Sequence, residues 1–206
     1  MPMKESMKEA LQFYDKCSKV YADYTFDKLM QFQLNEFISK LPKNAKVLDI
    51  GCGSGRDSHY FHDYGLEVTA IDNSESMLKE AKSRVKDVMF KKMDMKKLTL
   101  PKESFDGVWI MATLTTSEKK DALPTLKEAA KVLKKNGILY VAVKEGSGEL
   151  VQNKQKYGNV PKFYAYYQQK EMEELIKQAG FAILKSTVEE DSSTNIKWVE
   201  IFARSS

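Results

Sequence analysis

Apolar positions recur along this chain with two different periods, and the two periods alternate. Near the start, "YDKCSKVYADYTFDKLMQFQLNEFI" sets Ala10, Tyr14, Cys17 and Tyr21, then Met30, Leu34, Phe37 and Leu41, at helical spacing, and Pro42 stops the stretch. "KVLDI" is a short unbroken apolar run, the pattern of a strand covered on both faces. "GRDSHYFHDYG" predicts a helix closed by Gly65. "LEVTAID" predicts the second strand. "SESMLKEAKSRV" predicts the next helix, with Ser74 as its N-cap and Met77, Leu78, Ala81 and Val85 on one face. "VMF" and "FDGVWIM" read as strands three and four. A helix then runs to "KVLKKNG", where lysines and Gly137 mark its end. "ILYVAVK" is the fifth strand, "QQKEMEELIKQAG" another glycine-closed helix, and "FAILKSTVEEDSSTNIKWVEIFAR" two long strands joined by a polar turn.

Strand–helix alternation with runs such as "VLDI" and "YVAV" predicts an α/β fold. The expected architecture is a doubly wound, mostly parallel, seven-stranded sheet with an antiparallel C-terminal strand and an N-terminal helical lid. With no internal repeat or composition break, residues 1–206 read as one domain, with 1–41 as the lid and 45–206 as the core. A sheet of this kind binds ligands beyond the carboxyl ends of its strands, where strand order reverses. In the simplest winding that point lies beside the first strand.

The chain's 206 residues are enough for one substantial core. A formal charge of +4, from 33 Lys and Arg against 29 Asp and Glu, is far from the basic stripe of a nucleic-acid binder. No apolar run approaches membrane-spanning length. "MPMKESMKEA" has no apolar signal core, and Cys17 and Cys52 are too few for a disulfide framework, so a reducing, cytoplasmic setting is expected.

The chemistry concentrates in "VLDIGCGSGRDSHYF", residues 47–61. A dinucleotide fingerprint is G-x-G-x-x-G, with a pyrophosphate at a helix N-terminus. Here the glycines are Gly51, Gly53 and Gly55, so the third comes one residue early. Asp49 stands just before them, and a carboxylate suits a cation better than a pyrophosphate. Asp72, at the end of the second strand, holds the ribose-hydroxyl position of many nucleoside-binding folds. A ligand with a ribose, a positive group and no diphosphate fits, and S-adenosylmethionine meets all three conditions. Asp49 also suits a role in orienting the glycine loop. Cys52 inside the loop needs only to be small. His59 and His62 share a helix face without a further cluster that would make a metal site.

These segments resemble the class I (Rossmann-like) S-adenosylmethionine-dependent methyltransferases, in particular the small single-domain group of unassigned substrate. "VLDIGCGSGRDS" resembles the family's first motif, whose backbone faces the methionine and ribose portions; it carries Asp49, Gly51, Cys52, Gly53 and Gly55. "AIDNSESML" resembles the second. The resemblance puts Asp72 on the ribose hydroxyls and Asn73 beside the adenine, and it brings Met77 into the cofactor set. "FKKMDM" resembles the third, implying that Asp94 accepts from the adenine amino group and that Met95 sits at the ring. "FDGVWIMATL" resembles the fourth, placing Met111 and Ala112 near the methionine end. Related enzymes often lay N-terminal helices across the cofactor, which gives Tyr14 and Tyr21 a place against the sulfonium. A subgroup often has a histidine in the loop after strand four. This chain has "MATLTTS" there, with Thr116 near that position, so no catalytic base carries over.

The implied reaction is in-line methyl transfer to an acceptor, in which the protein contributes mainly proximity and alignment, worth about 7–11 kcal/mol. The amino-group signature [DNS]-P-P-[FYW] and a Pro-Cys nucleophile are both missing from the sequence, so a small-molecule acceptor is expected rather than nucleic acid. The long, tyrosine-rich segment "KEGSGELVQNKQKYGNVPKFYAYY" is the natural place for acceptor selection. Two alternatives stand beside this reading: an NAD(P)-dependent oxidoreductase, and a non-catalytic S-adenosylmethionine-binding module.

Overall fold

The computed structural model describes residues 12–191 and 194–206. Ala10 and the first part of the expected lid lie outside the described residues. So do positions 192 and 193 of the polar turn.

The chain runs α1 (Phe13–Thr25), α2 (Gln31–Ser39), β1 (Lys46–Ile50), α3 (Arg56–Asp63), β2 (Glu67–Asp72), α4 (Glu75–Arg84), β3 (Met89–Lys92) and β4 (Phe105–Met111). It continues with α5 (Ala122–Val132), β5 (Leu133–Lys144), β6 (Glu149–Lys154), β7 (Val160–Ala165), α6 (Gln169–Gln178), β8 (Phe181–Asp191) and β9 (Ile196–Ser205). Seven strands form one sheet in the order β3-β2-β1-β4-β5-β9-β8. Strands β1 to β5 pair parallel, and β9 runs antiparallel between β5 and β8. The antiparallel strand is therefore internal, and β8 is the edge on that side, with β3 the edge on the other. Strand order reverses between β1 and β4, the place where an open α/β sheet leaves a crevice.

Two apolar layers sandwich the sheet. Along β1, Val47 joins Leu34 of α2 and Phe61 of α3 in one cluster, while Leu48 joins Leu126 and Ala129 of α5 in the other. Successive strand residues point to opposite faces, so an unbroken apolar run is what a doubly covered strand requires. Ser74 caps α4, its side chain accepting from the Met77 N–H at 3.2 Å.

Four expectations change. The N-terminal helical stretch is two helices, and α1 is itself kinked at Cys17 (φ −124°, ψ 16°). The break between α1 and α2 frees the Lys28 carbonyl, which accepts from Arg56 Nη1 at 2.8 Å. Only α1 reaches the end of the sheet where the strand order reverses. Leu34 and Phe37 anchor α2 to the sheet face, because a helix with two fully buried side chains is a core layer. Helix α5 stops at Val132, and Leu133 already pairs with Phe105, with Asn136 at φ 62° turning the chain toward the long part of β5. The tyrosine-rich segment is an antiparallel hairpin, β6–β7, rather than a loop.

Candidate functional site

Beyond Ile50 the chain leaves β1 through the glycine loop. The Gly51 and Cys52 N–H groups both donate to the Ile71 carbonyl at the end of β2, at 2.8 and 3.0 Å. Gly51 has φ +74°, and a Cβ there would lie 2.3 Å from Thr113 Oγ1, so only glycine fits. The Thr113 hydroxyl donates to the Ile50 carbonyl at 2.7 Å, which ties the segment after β4 to the end of β1. At Gly53, with φ +55°, a Cβ would meet Met77 Cε at 3.6 Å.

The Gly53 N–H donates to Asp72 Oδ2 at 2.9 Å, and the Ser74 N–H donates to Oδ1 at 2.8 Å. A carboxylate can accept about four hydrogen bonds, so Asp72 braces the loop and retains acceptor capacity. Burial raises its pKa, and the N–H groups of Ser74 and Gly53 oppose that. Asp49 differs. It is 3% exposed, accepts from Ser58 Oγ at 2.6 Å, and is pushed up to about 8, first by burial and then by Asp57. Asp57 itself is held by Arg56 and by Trp109 Nε1 at 3.0 Å.

A cavity of about 390 Å³ opens at these strand ends. Gly51 and Gly53 form its floor, with Asp72 and Asn73 from the end of β2. Asp94 and Met95 enter after β3, Met111 and Ala112 at the end of β4, and Tyr14 and Tyr21 from α1. Ala112 takes the left-handed conformation (φ 59°) while its N–H donates to the Ala142 carbonyl at 2.9 Å. Such backbone is strained for a residue with a Cβ and clusters at functional sites. The Tyr14 and Tyr21 rings meet edge to face, centroids 5.0 Å apart. Burial keeps the Tyr14 phenol protonated, and Tyr21 is pushed up to about 12, first by Tyr14 and then by burial.

Four of the sequence-predicted residues do not line this cavity. Asp49 lies buried beneath the loop, bonded to Ser58. Cys52 packs against the α4 cluster, and the same cluster's Phe90 presses on Gly55, where a Cβ would lie 2.9 Å from Phe90 Cζ. Met77 is 1% exposed and supports the loop from below. Other lining residues had no role in the sequence reading: Asp15 on α1, Thr113 and Thr116 in the turn after β4, and Glu118 and Asp121 beyond it. For Thr113, Thr116, Glu118 and Asp121 the signal was the polar run that follows the apolar β4, a loop at the carboxyl end of a central strand; Asp15 had none. Asp15 Oδ1 accepts from Ser74 Oγ at 2.5 Å, so α1 is joined directly to the residue that caps α4.

The arrangement fits a nucleoside bearing a cation. It offers a partly satisfied carboxylate at the ribose position, bare glycine backbone at Gly51 and Gly53, and aromatic rings across the mouth. Residues 48–141 match the model of a methyltransferase domain. A malonyl-[acyl-carrier protein] O-methyltransferase of Enterobacter lignolyticus is 33% identical over 116 residues, which is 55% of this chain and 45% of that protein. The chain spans less than half the length of this and other curated relatives that it matches. Among solved structures, a Burkholderia thailandensis 1,6-didemethyltoxoflavin-N1-methyltransferase, with bound 1,6-didemethyltoxoflavin and S-adenosylhomocysteine, superposes with a TM-score of 0.77. It covers 100% of this chain and 91% of its own, at 21% identity. A SAM-dependent methyltransferase of Methanosarcina mazei gives a TM-score of 0.74 at 23% identity, over 81% of this chain and 95% of its own.

Proposed function

We propose, for a chain that carries the class I, Rossmann-like methyltransferase fold, that it transfers a methyl group from S-adenosylmethionine to a small-molecule acceptor. The observation that carries this reading is the Asp72 carboxylate. It braces the glycine loop with two accepted hydrogen bonds and keeps lone pairs for a pair of ribose hydroxyls. S-adenosylmethionine, when bound, supplies a methyl group already activated by a sulfonium.

This chain's own residues do the rest. Asp72 holds the ribose, Asn73 and Asp94 border the adenine, and the Gly53 backbone leaves room for close approach. Met111, Ala112 and Thr113 wall the methionine end. Tyr14 and Tyr21 exclude water and present ring faces that tolerate a cation. Alignment of acceptor and methyl is the main contribution, and Thr116, Glu118 and Asp121 lie where an acceptor's polar groups would be oriented.

Calorimetry with S-adenosylhomocysteine, paired with thermal unfolding, tests the cofactor assignment. Ligand at a hundred times its dissociation constant should add about 2.7 kcal/mol of stability. NAD should neither bind nor compete. No heat and no thermal shift with saturating S-adenosylhomocysteine would end this reading; once binding is seen, a screen of small acceptors with labelled cofactor separates an enzyme from a binding module.

A further inference from the structure

Behind the Tyr14–Tyr21 pair lies a buried ammonium that the mechanism above does not use. Lys162 on β7 is 6% exposed. Its Nζ sits 4.7 Å from the ring centre of Phe13 and 4.6 Å from those of both Tyr14 and Tyr21. Strand alternation explains the placement. Phe163 and Ala165 enter the main core, so Lys162 and Tyr164 point to the opposite face, toward α1.

Lys162 is not alone. Lys144 ends β5 at the cavity side of the sheet, with its Nζ 4.2 Å from the Tyr164 ring centre, and Lys162 Nζ is 5.4 Å from the same ring. Lys154 approaches Tyr164 as well, at 4.9 Å, and Lys156 lies over Tyr24 and Tyr157. Among the described residues, none of the four has a carboxylate partner. Burial lowers the pKa of Lys144 to about 8, with Lys162, Lys154 and Lys156 adding repulsion, and burial lowers Lys162 too. A desolvated cation–π contact gives about 2 kcal/mol, which does not offset a buried charge facing like charges. An anion would.

We infer that the methyl acceptor carries an anionic oxygen group on a planar apolar body, held between the Lys144 and Lys162 ammoniums with its flat face against Tyr164 and Tyr21. This rests on the methyltransferase reading of the adjoining cavity and names its substrate class. The lysines fix the acceptor's orientation and do not touch the methyl group, so they act as specificity residues.

Benzoate is the probe, with neutral benzamide of the same shape as control, titrated into the full chain saturated with S-adenosylhomocysteine. Benzoate should bind and benzamide should not. Lys144→Met and Lys162→Met should each weaken benzoate by about tenfold or more. S-adenosylhomocysteine affinity, measured separately, should stay unchanged. Benzoate affinity should also fall as pH rises past about 8, where Lys144 loses its charge among Lys154, Lys156 and Lys162. Lys144 is partly exposed, so Lys144→Met remains a fair test even where Lys162→Met fails to fold. Equal binding of benzoate and benzamide, or benzoate binding indifferent to Lys144→Met, overturns the inference. If the substitutions weaken S-adenosylhomocysteine instead, the anion held there is the cofactor's carboxylate and the acceptor assignment is wrong. No binding of S-adenosylhomocysteine at all would be a failure of the methyltransferase reading itself.

Discussion

Asp72 accepts from two backbone N–H groups and borders the cavity, so its replacement should be read mainly in affinity. Asp72→Ala should weaken S-adenosylhomocysteine by roughly 1–3 kcal/mol in calorimetry, with a smaller effect on unfolding. Gly53→Val should do worse, since a β-branched residue at φ +55° is strained and its side chain would press on Met77 beneath the loop. Wild-type affinity in Asp72→Ala would leave the carboxylate as a loop brace only. Asp49 calls for a different experiment. Its folded pKa, about 8, lies above the ordinary 3.8, so the folded state holds a proton that the unfolded chain has lost. Its contribution is therefore fully present below about pH 4 and is lost as pH rises toward 8. Asp49→Asn should flatten that part of the stability–pH curve, as followed by denaturant titration at several pH values; an unaltered slope would mean the carboxyl ionises freely. At this scale the sequence showed the motif but not its depth. "VLDIGCG" announces a carboxylate near a glycine loop, yet only the Ser58 and Asp57 contacts reveal that Asp49 is buried beneath it. The Lys144–Lys162 pairing was invisible, because two lysines eighteen positions apart meet only after β6 and β7 fold into a hairpin.

Helix α1 lies over the cavity yet is tied down largely by polar groups. Asp15 bonds Ser74, and Arg84 Nη2 donates to Asp23 Oδ1 at 2.5 Å. Its buried apolar residues are Phe13, Cys17 and Ala22, and Phe13 and Cys17 form with Tyr157 a small cluster set apart from the two layers that sandwich the sheet. An element with few core contacts is among the first to open locally. Amide exchange in residues 12–25 should therefore slow markedly when S-adenosylhomocysteine binds, while α2, anchored by Leu34 and Phe37, should hardly respond. Tyr14→Ala and Tyr21→Ala should lower cofactor affinity more than melting temperature. Equal protection with and without ligand, joined to unchanged binding in both variants, would make α1 ordinary packing. The periodicity of β1, β2, β4 and α4 was plain because their buried faces are continuous. The α1–α2 break was hidden, since "TFDKLM" contains neither glycine nor proline and is set by the Arg56 contact to Lys28. The β6 strand was hidden too, because "ELVQNK" is exposed or half-exposed at every position.

Across the whole molecule one sheet joins every layer, so the chain is proposed to unfold as a single cooperative unit. Trp109 reports from the centre of the sheet and Trp198 from β9, and denaturant curves of variants keeping one tryptophan each should coincide. Separate midpoints would divide the chain into two units. Phe37→Ala, which empties a fully buried site against Phe61 and Trp109, should cost about 3–5 kcal/mol. The internal position of β9 has a further consequence, for synthesis on the ribosome. β1 to β5 can pair with one another as they emerge from the exit tunnel. β8 emerges after β6, β7 and α6 and has no place in the sheet yet, because among the described residues its one neighbour is β9. Until β9 follows, the flank of β5 and the whole of β8 present unpaired backbone to solvent. In that interval the nascent chain is most open to chaperones and to mispairing with other chains.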